Sequence, residues 1–250
     1  MTFLRSALFN LFFFVGTFVL TLVPATVVRF LAPDRVPDVA RLWARVMLWG
    51  LRVICGIRVL VSGLERVGQG AALIASRHQS AFDTIVWLTL VPRCCYVMKR
   101  ELLAVPLFGP LMPLAGMIAV DRHGGAGALR ALVRDGERAA REGRQIVIFP
   151  EGTRADPAVM LPLQPGVAAL AVRTHLPVIP VVTDSGRFWG RRAFHKRAGT
   201  IQIRLLEPIP VGIGRAQLMQ RLEAALRSDV VENSVGGVAG QFGHEAKWSA

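Results

Sequence analysis

The stretch Ser76-Arg77-His78-Gln79-Ser80-Ala81-Phe82-Asp83 sets a histidine five residues ahead of an aspartate. Residues five apart on one continuous helix point away from each other. The two side chains meet only if His78 lies in a turn and Asp83 in the first turn of the helix that follows. An aspartate there also complements the helix N-terminus. So arranged, Asp83 accepts a hydrogen bond from one ring nitrogen of His78, fixing the tautomer and stabilising the imidazolium. The other nitrogen is left as a base for a hydroxyl proton. Taken alone, the spacing favours a capping carboxylate beside a half-exposed histidine; the rest of the chain reverses that balance.

Three further loops carry charge. Gln145–Phe149 reads as a buried strand and runs into Pro150-Glu151-Gly152-Thr153-Arg154. Gly152 permits close backbone approach, and Arg154 can clamp a phosphate or carboxylate through two parallel hydrogen bonds. A turn with a surface Glu–Arg pair fits that pentapeptide equally well. Met117–Val120 likewise ends in Asp121-Arg122, and Lys99, Arg100 and Glu101 follow the apolar Tyr96–Met98. Open α/β sheets bind ligands beyond the carboxyl ends of their strands. If these strands are neighbours, Lys99, Arg122 and Arg154 converge beside His78 and form an anion site suited to a phosphate-bearing acceptor. Ser80 lacks the Gly-x-Ser-x-Gly setting of a nucleophile and reads as structural.

The elements that must position these loops alternate along the chain. Strands are expected at Ile57–Val61, Ala71–Ala75, Tyr96–Met98, Met117–Val120, Gln145–Phe149, Pro177–Val182 and Thr200–Leu205. Helices are expected at Phe82–Leu90, Gly125–Glu142, Pro165–Thr174 and Arg215–Arg227. The pattern predicts an α/β domain over 58–228, a mixed, mostly parallel sheet flanked by helices. Residues 229–250 lack apolar periodicity and read as a disordered tail.

Residues 1–57 read as a membrane-anchoring segment. Ala7–Val28 is a 22-residue run without a charge, long enough for a spanning helix, while Pro24 leaves open a hairpin held in one leaflet. Arg29, Arg35, Arg41 and Arg45 follow it, which places the downstream domain on the cytoplasmic face of the inner membrane. In the helical pattern Arg41–Ile57, Leu42, Val46, Trp49 and Val53 mark an apolar stripe beside Arg41, Arg45 and Arg52, a combination suited to the headgroup region.

The composition agrees with a membrane setting: 52% hydrophobic residues, a positive mean hydropathy and a net charge of +13. Such a charge fits nucleic acid, anionic lipid or acidic small molecules. Arg187–Arg197 interleaves basic and aromatic residues, a pattern that also serves single-stranded nucleic acid or a solvated loop. Beside a membrane anchor, anionic headgroups are the better partner and no nucleic acid is expected. Cys55, Cys94 and Cys95 offer neither a disulfide framework nor zinc spacing, and no metal is expected.

Arg77-His78-Gln79-Ser80-Ala81-Phe82-Asp83 resembles the histidine–four–aspartate motif of the glycerolipid acyltransferases, the lysophosphatidic acid acyltransferase family. Lys99-Arg100-Glu101-Leu102, Pro106, Gly109 and Gly116 through Asp121-Arg122 resemble the second block of that family. Phe149-Pro150-Glu151-Gly152-Thr153-Arg154 resembles its third block, Leu176-Pro177-Val178-Ile179-Pro180-Val181 its fourth, and Ser185–Arg191 looks like bacterial members. The resemblance implies transfer of a fatty acyl group from a thioester, acyl-coenzyme A or acyl-carrier protein, to a lysophospholipid hydroxyl, with no further cofactor. His78 would be the base, oriented by Asp83. Arg122, Glu151, Gly152, Thr153 and Arg154 would bind the acceptor's glycerol phosphate, with Lys99 beside them. Pro106–Met117 would line the acyl groove or belong to the core. Three departures stand out: Arg77 where many members have asparagine, Gln164 where a lysine commonly precedes Pro-Gly, and Asp184 in place of an amide. They keep another lyso-lipid, such as a lyso-ornithine lipid, open as acceptor. Thioester hydrolysis and non-catalytic lipid binding are the remaining readings, disfavoured by Arg122 with Arg154 and by the His78–Asp83 pair respectively.

Overall fold

The computed structural model describes residues 2–19, 23–234 and 244–245. Its strands are β1 (Ile57–Ser62), β2 (Ala72–Ser76), β3 (Cys94–Lys99), β4 (Ile118–Val120), β5 (Gln145–Ile148), β6 (Val178–Thr183), β7 (Gly199–Leu205) and β8 (His244–Glu245). The seven expected strands are all present, within three residues at either end. They form one sheet in the order β4-β3-β5-β2-β6-β7-β1-β8. From β4 to β6 every neighbouring pair is parallel; β7 turns antiparallel to β6, and β8 is antiparallel to β1.

The helices are α1 (Thr2–Thr17), α2 (Val23–Leu31), α3 (Val36–Cys55), α4 (Asp83–Leu90), α5 (Leu111–Leu114), α6 (Gly125–Arg141), α7 (Gly166–Thr174), α8 (Ser185–Phe188) and α9 (Arg215–Ser234). Alternate residues of each buried strand point to opposite faces. On β2 and β5, Ile74 and Val147 pack with α1, α3 and α4, through Phe9, Met47, Leu51 and Trp87. Leu73, Ala75, Ile146 and Ile148 face the other way, onto α6, α7 and α9, through Leu132, Leu170 and Leu222. Burying both faces is what a parallel sheet requires, and it explains why β2 and β5 are apolar runs without alternation.

Two expectations need correction, on the spanning helix and on the tail. The apolar run Ala7–Val28 is shared between α1 and α2, and no described helix is long and apolar enough to cross a membrane. The stripe expected on α3 does face outward at Leu42, Trp49 and Val53 (55%, 59% and 61% exposed), with Val46 half-buried, while Ala44, Met47, Leu48 and Leu51 form the buried face. The tail starts later than expected: α9 continues to Ser234, and His244–Glu245 pair with Leu60 and Val61. Residues 235–243 and 246–250 of that tail lie outside the described residues.

Candidate active site

Because β2, β3, β4, β5 and β6 run parallel, their carboxyl ends share one edge of the sheet. The loops bearing His78, Lys99, Arg122 and Arg154 therefore meet there, as does the turn into α8. His78 lies between β2 and α4, and Asp83 is the first residue of α4. Asp83 is buried, and its Oδ2 stands 3.1 Å from His78 Nδ1. The same oxygen accepts the backbone N–H groups of Gln79 at 2.7 Å and Ser80 at 2.8 Å. A carboxylate only accepts, so Nδ1 is the protonated ring nitrogen and Nε2 is the free base. Ser80 is buried and its Oγ accepts the Phe82 N–H, a loop-closing role in keeping with its structural reading. The imidazole stacks on Phe149, with ring centroids 4.1 Å apart.

His78 opens onto a cavity of about 420 Å³ that is also lined by Lys99, Arg122 and Arg154. Apart from Thr17 and Thr84 its other walls are largely apolar, among them Trp43 and Val39 of α3, Tyr96 and Met98 of β3, and Phe149. Phe108, Leu111, Met112, Ala115 and Met117 also line it, so the stretch Pro106–Met117 serves the groove, although Leu111 and Ala115 are buried as well. A base and three cationic side chains thus line one largely apolar recess, a polarity that suits an amphiphile with an anionic head. A larger groove of about 560 Å³ lies between 156–158 and 186–197; it does not reach His78.

The cations are held differently. Arg122 donates to the Gly152 carbonyl, and Gly152 takes the left-handed conformation (φ 71°) that glycine tolerates best. Arg154 is half-buried; desolvation pulls its guanidinium below the ordinary value, opposed by the charge of Asp83 and reinforced by Arg191 and Arg192. Lys99 is exposed and pairs with Glu101 at 2.8 Å, which lowers the Glu101 carboxyl.

A family model described as Acyltransferase matches residues 58–184, just over half of the chain. A 1-acyl-sn-glycerol-3-phosphate acyltransferase of Pseudomonas aeruginosa is 35% identical over 239 residues, covering 92% of both chains. The chain belongs to the 1-acyl-sn-glycerol-3-phosphate acyltransferase family. The human 1-acyl-sn-glycerol-3-phosphate acyltransferase beta is 34% identical over 62% of this acyltransferase, and the match spans 57% of the human protein. The fold is that of the crystal structure of the 1-acyl-sn-glycerophosphate (LPA) acyltransferase PlsC from Thermotoga maritima. That likeness has a TM-score of 0.75 at 22% identity, over 95% of this chain and all of the other.

Three of the expected acceptor-binding residues of this acyltransferase, Glu151, Gly152 and Thr153, do not line the cavity, and Gly152 serves it through its carbonyl, which accepts from Arg122. Thr153 is exposed on the outer surface of its loop and does not line the recess. Glu151 points inward: its Oε2 accepts the His78 backbone N–H at 3.1 Å, and its Oε1 lies 3.6 Å from Arg77 Nη2. Both side chains of that ion pair are fully buried. Arg77 also donates to the carbonyls of Val159 at 2.7 Å and Pro157 at 3.5 Å. The Arg77–Glu151 pair therefore ties the loop of the base to the loop of Arg154. The three cysteines are buried and unbonded, and burial pushes the Cys95 thiol up to about 12, so none of them competes as a nucleophile.

Proposed function

We propose that the protein transfers a fatty acyl group from an acyl thioester to the free hydroxyl of 1-acyl-sn-glycerol-3-phosphate, forming phosphatidic acid. The observation that carries this reading is the His78–Asp83 pair opening into an apolar cavity rimmed by Arg122 and Arg154. The acceptor hydroxyl gives its proton to His78 Nε2 as its oxygen bonds to the thioester carbonyl carbon. The tetrahedral centre then collapses, the C–S bond breaks, and the imidazolium returns the proton to the departing thiolate. Asp83 stabilises the imidazolium in between. A thiolate is a good leaving group, so the demanding step is oxygen attack, where the base acts.

The test is acyl transfer by purified protein in detergent, from acyl-coenzyme A and from acyl-carrier protein. Lysophosphatidic acid, lyso-ornithine lipid and lysophosphatidylcholine compete as acceptors. Preference for lysophosphatidic acid is the expected result; preference for another lyso-lipid reassigns the acceptor. A charge-assisted hydrogen bond is worth about 1.5–3 kcal/mol, so Arg154→Ala raises the KM for lysophosphatidic acid about ten- to hundredfold. The KM for the donor stays put. An unchanged acceptor KM removes Arg154 from the phosphate site.

We further propose that α1, α2 and α3 seat the enzyme in one leaflet of the inner membrane, with the catalytic domain on the cytoplasmic side. Phe14 and Leu11 of α1, Phe30 of α2, and Leu42, Trp49 and Val53 of α3 are all exposed apolar side chains, with Arg45 and Arg52 beside those on α3. Such exposure on neighbouring elements marks an interaction surface. Apolar faces edged by arginine and tryptophan suit the boundary between headgroups and acyl chains. Vesicles containing anionic lipid are expected to carry the protein upward in a flotation gradient, and Leu11→Asp with Trp49→Asp to leave it at the bottom. Equal flotation of both proteins would overturn the assignment of this face.

A further inference from the structure

Four donors converge on Asp83, and three of them come from its own loop. His78 Nδ1, Gln79 N and Ser80 N all meet Oδ2. The fourth is the hydroxyl of Ser185, 2.7 Å from Oδ1 and fully buried, reached from 102 residues away in sequence. Among the described hydrogen bonds it is the one partner of Oδ1. The geometry points to Ser185 as a positioning residue of the acyl-transfer site, which fixes the rotation of the Asp83 carboxylate so that Oδ2 faces the imidazole. This inference rests on the proposed role of His78 as base.

The physical case has three parts. A carboxylate bonded through one oxygen alone can turn about its Cβ–Cγ bond, because that torsion is broad and lacks deep staggered wells. With Oδ1 fixed as well, the plane is determined. Second, Ser185 is itself held: its N–H donates to Thr183 Oγ1 at 3.2 Å, at the end of β6. The next residue, Gly186, donates its N–H to Gln79 Oε1 at 3.0 Å. A Cβ at Gly186 would crowd the Cγ of Pro157 and the side chain of Gln79. The turn from β6 into α8 thus grips Asp83 and Gln79, the residue that follows His78, from a wall separate from their own. Third, Oδ1 is buried, so deletion of the hydroxyl leaves a carboxylate oxygen without a partner, and the group relaxes by rotating. The hydroxyl touches neither imidazole nor substrate; its effect reaches the reaction through Asp83 and then His78.

The test uses Ser185→Ala and Ser185→Cys, with free thiol released from the acyl thioester as the readout. Ser185→Ala is expected to lower kcat about ten- to hundredfold, the worth of a hydrogen bond to a charged group. Both KM values stay near wild type. Cysteine has nearly the size of serine but is a weak donor, so Ser185→Cys folds like wild type and loses kcat partially. In an Asp83→Ala background the hydroxyl has nothing to orient, and adding Ser185→Ala costs less than about twofold. A merely structural serine would lower the denaturation midpoint and leave kcat per folded molecule alone in both variants. That result overturns the inference, as does the same fold loss with and without Asp83. If the alanine variant does not fold, the cysteine variant decides, since unchanged kcat there also overturns it. Thiol release follows any acceptor, water included, so failure of wild type to use lysophosphatidic acid would strike the proposed acceptor without touching this comparison.

Discussion

Purified His78→Ala is expected to retain its fold and its affinity for both substrates while kcat falls by about 10²–10⁴, the usual contribution of a positioned general base. The side chain is only partly buried and stacks on Phe149, so its removal leaves a niche at the cavity wall and no cavity in the core. Arg122 and Arg154, which would hold the acceptor, stay in place, and KM for lysophosphatidic acid should move little. Without the base the hydroxyl is deprotonated by solvent hydroxide, so the residual rate should climb with pH. Steady-state kinetics at several pH values, with the denaturation midpoint as a control, decide the matter. A variant with kcat within tenfold of wild type would remove His78 from the role of base.

The dyad and the individual strands were legible because both are local. A five-residue spacing across a strand-to-helix turn has one geometry that brings His78 and Asp83 together, and the turn falls there. The strands announced themselves as short apolar runs, and their parallel pairing brings Lys99, Arg122 and Arg154 to one edge. What stayed hidden is what pairs over distance. Ser185 reaches Asp83 across 102 residues, and Arg77 reaches Glu151 and Val159 across the sheet edge. No periodicity encodes such contacts; they exist only once β6 and β5 flank β2. The outward stripe on α3 was legible, whereas the second, buried side of the same helix was not. That helix carries apolar residues on two sides, and the stripe marked only one. Leu42, Trp49 and Val53 proved to be the outer side, whereas Met47, Leu48 and Leu51 pack inside.

The second large effect is expected at Arg77, where burial makes charge expensive to leave unmatched. Its guanidinium and the carboxylate of Glu151 are both without solvent contact. Desolvation raises the Glu151 carboxyl above its ordinary value, opposed by the His78 backbone N–H and by the charge of Arg77. Arg77 Nε and Glu151 Oε1 have no hydrogen-bond partner, so the pair is held by charge proximity and by the carbonyls of Pro157 and Val159. Removal of one member of a buried pair costs about 3–5 kcal/mol, because the other charge is stranded. Arg77→Met should therefore lower the denaturation midpoint by on the order of 10 °C, given about 2–4 °C per kcal/mol in a chain of this size. The pH dependence has a definite sign. A carboxyl raised in the folded state binds its proton more tightly there than in the unfolded chain, so it favours folding at low pH, and that advantage is lost as pH rises through the folded value. Arg77→Met raises the Glu151 carboxyl further and widens that window upward. The gap between variant and wild type should then be largest at neutral pH and narrow as the solution is acidified toward the ordinary carboxylate range. Adding Glu151→Gln should recover part of the loss at neutral pH, since an amide carries no charge to strand and still offers an oxygen to the His78 N–H. A gap that stays constant with pH would mean that Arg77 acts through packing and its carbonyl contacts, with Glu151 a bystander.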